Sequence, residues 1–167
     1  AGFVRGAEEY LLRINTEFTD PRSGVTKVSN IRAELAGLGT IAEYCKSNDL
    51  DNLYPGKVKF VQKNWQRISE QSIRPVDMQE FNLRASLNVE KDLTRTQLVR
   101  SMVSSWKDNK KEFRYINRYS LRHTDLPIKV DISIVKQSAR MGRGRAMVYT
   151  FEEAQLMNQP ERFEIEL

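Results

Sequence analysis

The residues of this sequence with the clearest chemical potential are charged side chains that alternate with apolar ones along three runs in its second half. Side chains two positions apart share one face of a β-strand, so each run would present its charges together. Arginine and lysine bind phosphate oxygens, and carboxylates hold hard divalent cations, so such faces predict phosphate or metal chemistry. The charged members are Arg114, Arg118 and Arg122 in 112–123, Lys129 and Asp131 in 128–136, and Glu164 and Glu166 in 163–167.

Two earlier runs show the same alternation, and together the runs predict a sheet with one highly charged face. If that sheet closes on itself, the charges converge on one lumen, where opposite charges, a metal or a ligand must offset repulsion. An open antiparallel sheet with one solvated, salt-bridged face explains the same alternation and is the commoner arrangement. The earlier charged positions are Arg84 and Glu90 in Phe81–Glu90, and Arg32 and Glu34 in Ser29–Leu35.

The elements that would position these residues make one α+β domain over residues 1–167, since no repeat, linker or low-complexity tract divides the chain. Helical spacing predicts helices over 4–14, Thr40–Asn48 capped by Thr40, Thr94–Trp106 and Phe151–Met157. Short apolar runs predict further strands at Lys57–Val61 and Met147–Thr150, and the glycines of Gln137–Arg145 predict a flexible basic turn.

Composition limits the function classes. A net charge of +5 and a pI near 9.4 favour a polyanionic partner such as nucleic acid or nucleotide. One cysteine, Cys45, and one histidine, His123, exclude an internal disulfide and a Cys/His zinc site and favour an intracellular setting. No apolar run is long enough to cross a bilayer. The chain does not begin with Met and stops within a strand-like run, so we expect a fragment of a longer multidomain protein.

Four segments taken in order resemble a known family: FRYINRYS at 113–120, KVDISIVK at 129–136, TFEE at 150–153 and FEIEL at 163–167. They are similar to the metal-dependent RNA 5′-triphosphatase domain of mRNA-capping enzymes from nucleocytoplasmic large DNA viruses, within the triphosphate tunnel metalloenzymes. The resemblance covers the second half of the chain, while the first half resembles the family only in strand order.

The resemblance implies an antiparallel closed β-barrel, the triphosphate tunnel, with helices packed outside. Its activity would be hydrolysis of the γ-phosphate of 5′-triphosphate RNA in mRNA cap formation, with Mg²⁺ or Mn²⁺ as cofactor. The implied catalytic carboxylates are Glu34, Asp131, Glu164 and Glu166, of which Glu34, Glu164 and Glu166 would hold the metal. The implied phosphate-binding cations are Arg84, Arg114, Arg118, Arg122 and Lys129.

The resemblance also implies partners and a location. The substrate would be 5′-triphosphate RNA or a nucleoside triphosphate, with guanylyltransferase and methyltransferase domains fused or associated and no membrane. The setting would be the virion or the cytoplasmic viral factory of an infected eukaryotic cell. One departure leaves an alternative open, because Arg32 stands where the family's first strand has a glutamate. That alternative is a catalytically weak tunnel domain, or a basic module binding RNA or nucleotide phosphates in a larger assembly.

Overall fold

The computed structural model describes residues 2–68 and 71–167, and its main element is a seven-stranded antiparallel sheet. The strands in chain order are β1 (Phe3–Thr19), β2 (Thr26–Ala36), β3 (Val58–Trp65), β4 (Arg67–Ile68), β5 (Gln71–Ser72), β6 (Val76–Met78), β7 (Leu83–Ala85), β8 (Asn88–Asp92), β9 (Lys111–His123), β10 (Lys129–Gln137), β11 (Arg140–Met141), β12 (Gly144–Arg145) and β13 (Arg162–Glu166). The helices are α1 (Leu38–Ser47) and α2 (Gln97–Ser104). The large sheet has the order β13-β10-β9-β1-β2-β3-β8, and β4–β5, β6–β7 and β11–β12 form separate two-stranded hairpins.

One face of the large sheet packs against the helices. Leu12 and Ile14 of β1, Phe60 of β3 and Phe113 of β9 are all almost fully buried in that core. Trp106 closes the cluster, and its indole Nε1 donates to Tyr44 Oη at 3.3 Å. Because strand side chains alternate, the residues between these core positions project from the opposite face.

That opposite face, called the charged face from here on, gathers side chains from all seven strands. It carries Glu164, Glu166 and Arg162 of β13, Lys129, Asp131, Ser133 and Gln137 of β10, Glu112, Arg114 and Arg118 of β9, Arg13 of β1, Arg32 and Glu34 of β2, Lys59 of β3 and Glu90 of β8. In the described residues β13 and β8 are the edges of the sheet. The fold is therefore α+β with an antiparallel sheet, and closure into a barrel stays a prediction.

The helix predicted over 4–14 is wrong, because those residues lie in β1. β1 pairs with β2 on one side and β9 on the other, so it is a central strand of the sheet. Hydrogen bonds to two neighbours and burial of Leu12 and Ile14 outweigh the local helical spacing.

The prediction of one continuous strand over Phe81–Glu90 is wrong. Gln79–Phe81 forms a 3₁₀ turn that ends at Asn82, which has a φ of 50°. In the part of the chain that the structure describes, β7 pairs only with β6, while β8 joins the large sheet. Most of these side chains are exposed, so alternation here reflects two short strands in different sheets.

Other boundaries also differ from the prediction. Helix α1 begins after Gly37, not at Thr40, and α2 is shorter than predicted and is capped by Thr96, whose Oγ1 accepts from the Val99 amide at 3.4 Å. Phe151–Met157 is turn followed by a 3₁₀ turn at Leu156–Asn158, and Met147–Thr150 contributes a single bridge between Val148 and Lys111. The basic segment Gln137–Arg145 contains the end of β10 and the paired hairpin β11–β12. In the described residues no helix has the length and apolar character to span a membrane.

Candidate phosphate-binding face

The strands β9 and β10 bring a network of charges together around Asp131, which is buried. Ser120 Oγ donates to Asp131 at 2.7 Å and Lys129 Nζ donates at 3.0 Å. Arg118 Nη1 lies 3.5 Å from the same carboxylate. Burial alone would raise the pKa of Asp131, but these hydrogen bonds and the charge of Arg118 outweigh it and hold that pKa below its ordinary value. Asp131 is therefore an ionised anchor that orients Arg118 and Lys129.

Strand β13 adds two carboxylates to this network. Glu164 forms an ion pair with Arg114, whose Nη1 also donates to Gln137 Oε1 at 3.3 Å. Glu166 Oε2 lies 3.6 Å from Arg118 Nη2. The structure thus places Glu164 and Glu166 on the charged face, as counterions of the arginines of β9.

A second network lies on β1, β2 and β8. Arg32 Nε donates to Glu34 Oε1 at 2.7 Å, and Arg32 Nη2 donates to Glu90 at 2.8 Å. Arg13 Nε lies 2.8 Å from the same Glu34 oxygen. Glu34 therefore sits between two guanidinium groups. The hydrogen bond from Arg32 lowers the pKa of Glu90.

The two networks meet at a pair of arginines that face each other across the ladder. Arg13 of β1 is directly opposite Arg114 of β9. Like charges in that position repel. The Nε atoms of both side chains are buried. Arg114 Nε has no hydrogen-bond partner among the described residues, and Arg13 Nε has there only its ion pair with Glu34. Burial, and then the nearby arginines, lower the pKa of Arg13 although Glu34 opposes this.

Cavities border this pair on the charged face. One of about 180 Å³ is lined by Arg13, Asn15, Glu112, Arg114 and Arg145, with Phe113 and Gln137 completing its wall. A larger one of about 1050 Å³ lies toward β3 and β8. It is open, and its charged lining comprises Glu9, Arg13, Glu34, Lys57, Lys59, Glu90, Asp92, Arg95 and Arg118. Guanidinium groups beside a cavity are suited to bind an oxyanion.

The predicted metal ligands do not come together as a metal site in the described residues. No three carboxylate, histidine or cysteine side chains there form a cluster that could hold an ion. Glu34 lies on β2, with β1, β9 and β10 between it and the Glu164 and Glu166 of β13. Each of these carboxylates is already held by an arginine. The arrangement therefore does not fit a resident Mg²⁺ or Mn²⁺, which needs several oxygen ligands at once.

Two predicted phosphate-binding residues lie away from the centre. Arg84 is in the separate β6–β7 hairpin, where its Nη2 donates to Asp77 Oδ2 at 2.8 Å. It still lines a cavity with Arg32 and Lys63. Arg122 lies near the end of β9, opposite Lys129. Of the predicted cations, Arg114, Arg118 and Lys129 are thus the three within the central networks.

Sequence reasoning missed Arg13, Glu112 and Arg145. The incorrect helix prediction over 4–14 placed Arg13 on no strand face. The signal was the alternation of Leu12, Ile14 and Thr16 with Arg13 and Asn15. Glu112 continues the Arg114–Arg118 face by one step. Burial raises the pKa of Glu112, and the charge of Arg145 only partly opposes this. Nothing in the sequence could place Arg145 beside Glu112, because that depends on the fold of the hairpin.

Comparison with known proteins gives one similar structure. No family model matches this chain, and no curated protein matches it. A solved structure described as a monoclinic Mimivirus capping enzyme triphosphatase is similar, with a TM-score of 0.49 and 16% sequence identity. The match covers 95% of this chain and 64% of that one, so this chain spans a little under two thirds of its length.

Proposed function

We propose that the charged face binds the 5′-triphosphate of RNA and that the γ-phosphate is hydrolysed there. The observation that carries this proposal is the cross-strand pair Arg13–Arg114, two guanidinium groups directly opposite each other on the charged face, each with one carboxylate counterion, Glu34 for Arg13 and Glu164 for Arg114. Two guanidinium groups that repel each other, beside a cavity of about 180 Å³, are stabilised by an anion between them. A terminal phosphate group carries several oxygens that can accept from both arginines.

The carboxylates of the face have a defined role in this proposal. Glu34, Glu164 and Asp131 hold Arg13, Arg114 and Arg118 in place on the charged face. An entering triphosphate competes with them for the guanidinium groups. The guanidinium groups are thus positioned in advance, and an anion takes the place of their carboxylate counterions when it binds.

Hydrolysis would proceed by attack of water on the γ-phosphorus, in line with the bond to the β-phosphate oxygen, which breaks. The products are inorganic phosphate and RNA with a 5′-diphosphate. Arg13 and Arg114, which line the 180 Å³ cavity with Glu112, would stabilise charge on the γ-phosphate oxygens, since phosphoryl transfer depends mainly on positioning and electrostatics. Arg118, farther along β9, would bind an inner phosphate. We assign Glu112 to accept the proton of the attacking water, because it lines the same cavity and forms no ion pair or hydrogen bond through its carboxylate among the described residues.

The metal and the closed tunnel remain parts of the proposal. Mg²⁺ commonly binds through substrate phosphates with one or two carboxylates, so an ion could arrive with the triphosphate. A triphosphate tunnel would need β13 and β8, the edges of the described sheet, to be joined by further pairing. Association with guanylyltransferase and methyltransferase domains, in a virion or viral factory, is the context that this function would serve.

A second function is favoured by a specific observation. The carboxylates of the face are held in ion pairs, and no cluster suited to a metal exists in the described residues. Such a face can bind triphosphate ends without hydrolysing them. In that case the chain is a binding module for RNA or nucleotide phosphates within a larger assembly.

The test measures phosphate released from γ-labelled 5′-triphosphate RNA, with Mg²⁺, with Mn²⁺ and with neither. We expect metal-stimulated release from the wild-type chain and little from Arg13→Ala. Arg100→Ala, which removes an exposed cation from α2, is the matched control. Binding without release under every condition would leave the second function. No binding of the triphosphate end would refute both.

A further inference from the structure

A group of four arginines at one end of the charged face has no role in the networks above. It is called the hairpin arginine cluster and comprises Arg140, Arg143, Arg145 and Arg162. Arg140 and Arg145 face each other in the β11–β12 hairpin, and Arg162 begins β13. With Val28, Glu112 and Gly144 they line a cavity of about 390 Å³.

The positive charge of this cluster is not neutralised within the described part of the chain. None of its arginines forms an ion pair there. Glu112 is the one carboxylate that lines the cavity among the described residues. Burial lowers the pKa of Arg145, and Arg162, Arg114 and Arg140 lower it further, while Glu112 opposes them.

The geometry nonetheless holds the cluster together. Arg145 Nη1 donates to the Ser138 carbonyl at 3.1 Å, which fixes its guanidinium group beside β10. The Ala146 amide donates to Ala139 O at 2.8 Å and closes the hairpin. Repelling cations that the backbone holds in place create a site of positive potential that favours an anion.

The cluster is continuous with the proposed triphosphate site. Arg145 and Glu112 line both its cavity and the smaller cavity beside Arg13 and Arg114. Arg114 lies two residues beyond Glu112 on β9 and on the same face, so an RNA whose 5′ end lies beside Arg114 can extend its chain toward the cluster.

We propose that the hairpin arginine cluster binds phosphodiester groups of a single-stranded RNA chain, next to the site that takes its 5′ end. This inference rests on the proposed function for the choice of RNA. Guanidinium groups bind phosphate oxygens in bidentate fashion, and several of them along one groove suit a repeating phosphate backbone. Arginines that bind the backbone do not read bases, so binding is expected to be independent of sequence and sensitive to salt.

The experiment uses a short single-stranded RNA with a 5′-hydroxyl, so that no triphosphate and no hydrolysis are involved. Binding is followed by fluorescence anisotropy over a range of salt concentrations. The variant is Arg143→Ala with Arg162→Ala, both exposed and without ion pairs in the described residues. Its control is Lys46→Ala with Arg100→Ala, which removes the same charge from the helices on the other side of the sheet.

We expect the variant to bind this RNA roughly tenfold more weakly, with a salt slope smaller by about 0.7 for each RNA phosphate that it no longer neutralises. The control should stay near wild type. Equal weakening in variant and control would overturn the proposal, because net charge alone would explain it. Competition by polyglutamate as effective as that by RNA would also overturn it, in favour of an acidic protein.

Failure of this proposal and failure of the proposed function give different results. Inorganic tripolyphosphate binding is measured by calorimetry in the wild-type chain, in Arg13→Ala and in the cluster variant, and the part that Arg13→Ala removes reports the central face. If it is intact in the variant while RNA binding falls, the cluster is a separate site. If tripolyphosphate does not bind the wild-type chain but 5′-hydroxyl RNA binds through the cluster, the proposed function fails and the cluster stands.

Discussion

Glu164 provides the sharpest test of how the charged face works. It forms an ion pair with Arg114, the arginine opposite Arg13. If Glu164 is a counterion that a phosphate must displace, Glu164→Gln should strengthen anion binding in the absence of metal. If Glu164 is needed to build the site, Glu164→Gln should weaken anion binding.

The magnitude follows from the exposure of the pair. About a third of each side chain is exposed, 32% for Arg114 and 33% for Glu164, so solvent screens the attraction. An ion pair of this kind is worth about 1 kcal/mol at most. Since about 1.4 kcal/mol corresponds to tenfold in affinity, the dissociation constant of tripolyphosphate should fall by up to about fivefold.

Isothermal titration of tripolyphosphate in buffer containing a chelator measures this. Glu161→Gln is the matched control, since it removes a carboxylate that pairs with Lys136 at 3.7 Å, on the other side of the sheet. It should leave the affinity unchanged. A Glu164→Gln variant that binds tripolyphosphate no better than wild type would refute the reasoning that the carboxylates act as displaceable counterions.

Three further outcomes are expected. Arg118→Ala should abolish tripolyphosphate binding and make urea unfolding easier, because it leaves buried Asp131 with one cation fewer; unchanged calorimetry would contradict this. Glu112→Gln should remove the acid limb of the pH–rate profile. In wild type we expect that limb at a pH above the ordinary carboxyl range, because burial raises the pKa of Glu112. A limb that persists in the variant would exclude Glu112 as the proton acceptor. Lys111 is buried, and burial lowers its pKa from 10.5 to about 8. Between pH 8 and pH 10.5 the unfolded chain therefore binds more protons than the folded chain. The free energy of unfolding of wild type should therefore rise relative to Lys111→Met as pH increases through that interval, and urea titrations at both ends would show it.

The strands of the second half could be predicted because their alternation coincides with their burial. β9 and β10 place Phe113 in the core and Arg114 and Asp131 on the charged face, as their period of two requires. The first strand could not be assigned from local spacing, because residues 4–14 satisfy a helical period and only pairing with β2 and β9 selects the extended form. Phe81–Glu90 shows the converse, since unbroken alternation does not say which sheet a strand joins.

The site was predictable in its residue types and not in its pairings. The cations Arg114, Arg118 and Lys129 follow from the strand faces. Which carboxylate meets which cation depends on register, and β1 shifts register between Arg5 and Glu8. The opposition of Arg13 and Arg114 follows from that register, so no local pattern predicts it.

Strand β13 has a consequence for the dynamics of the sheet. It has five residues, it pairs on one side only within residues 2–68 and 71–167, and its Phe163 and Ile165 are 73% and 71% exposed. With so little buried apolar surface, its amides should exchange with deuterium faster than those of the central strands β9 and β1. Glu164 and Glu166 belong to β13, so each local opening of this strand removes their carboxylates from Arg114 and Arg118. Local opening of one edge strand and the anion affinity of the sheet's centre are therefore linked equilibria, and phosphate should accelerate exchange in β13.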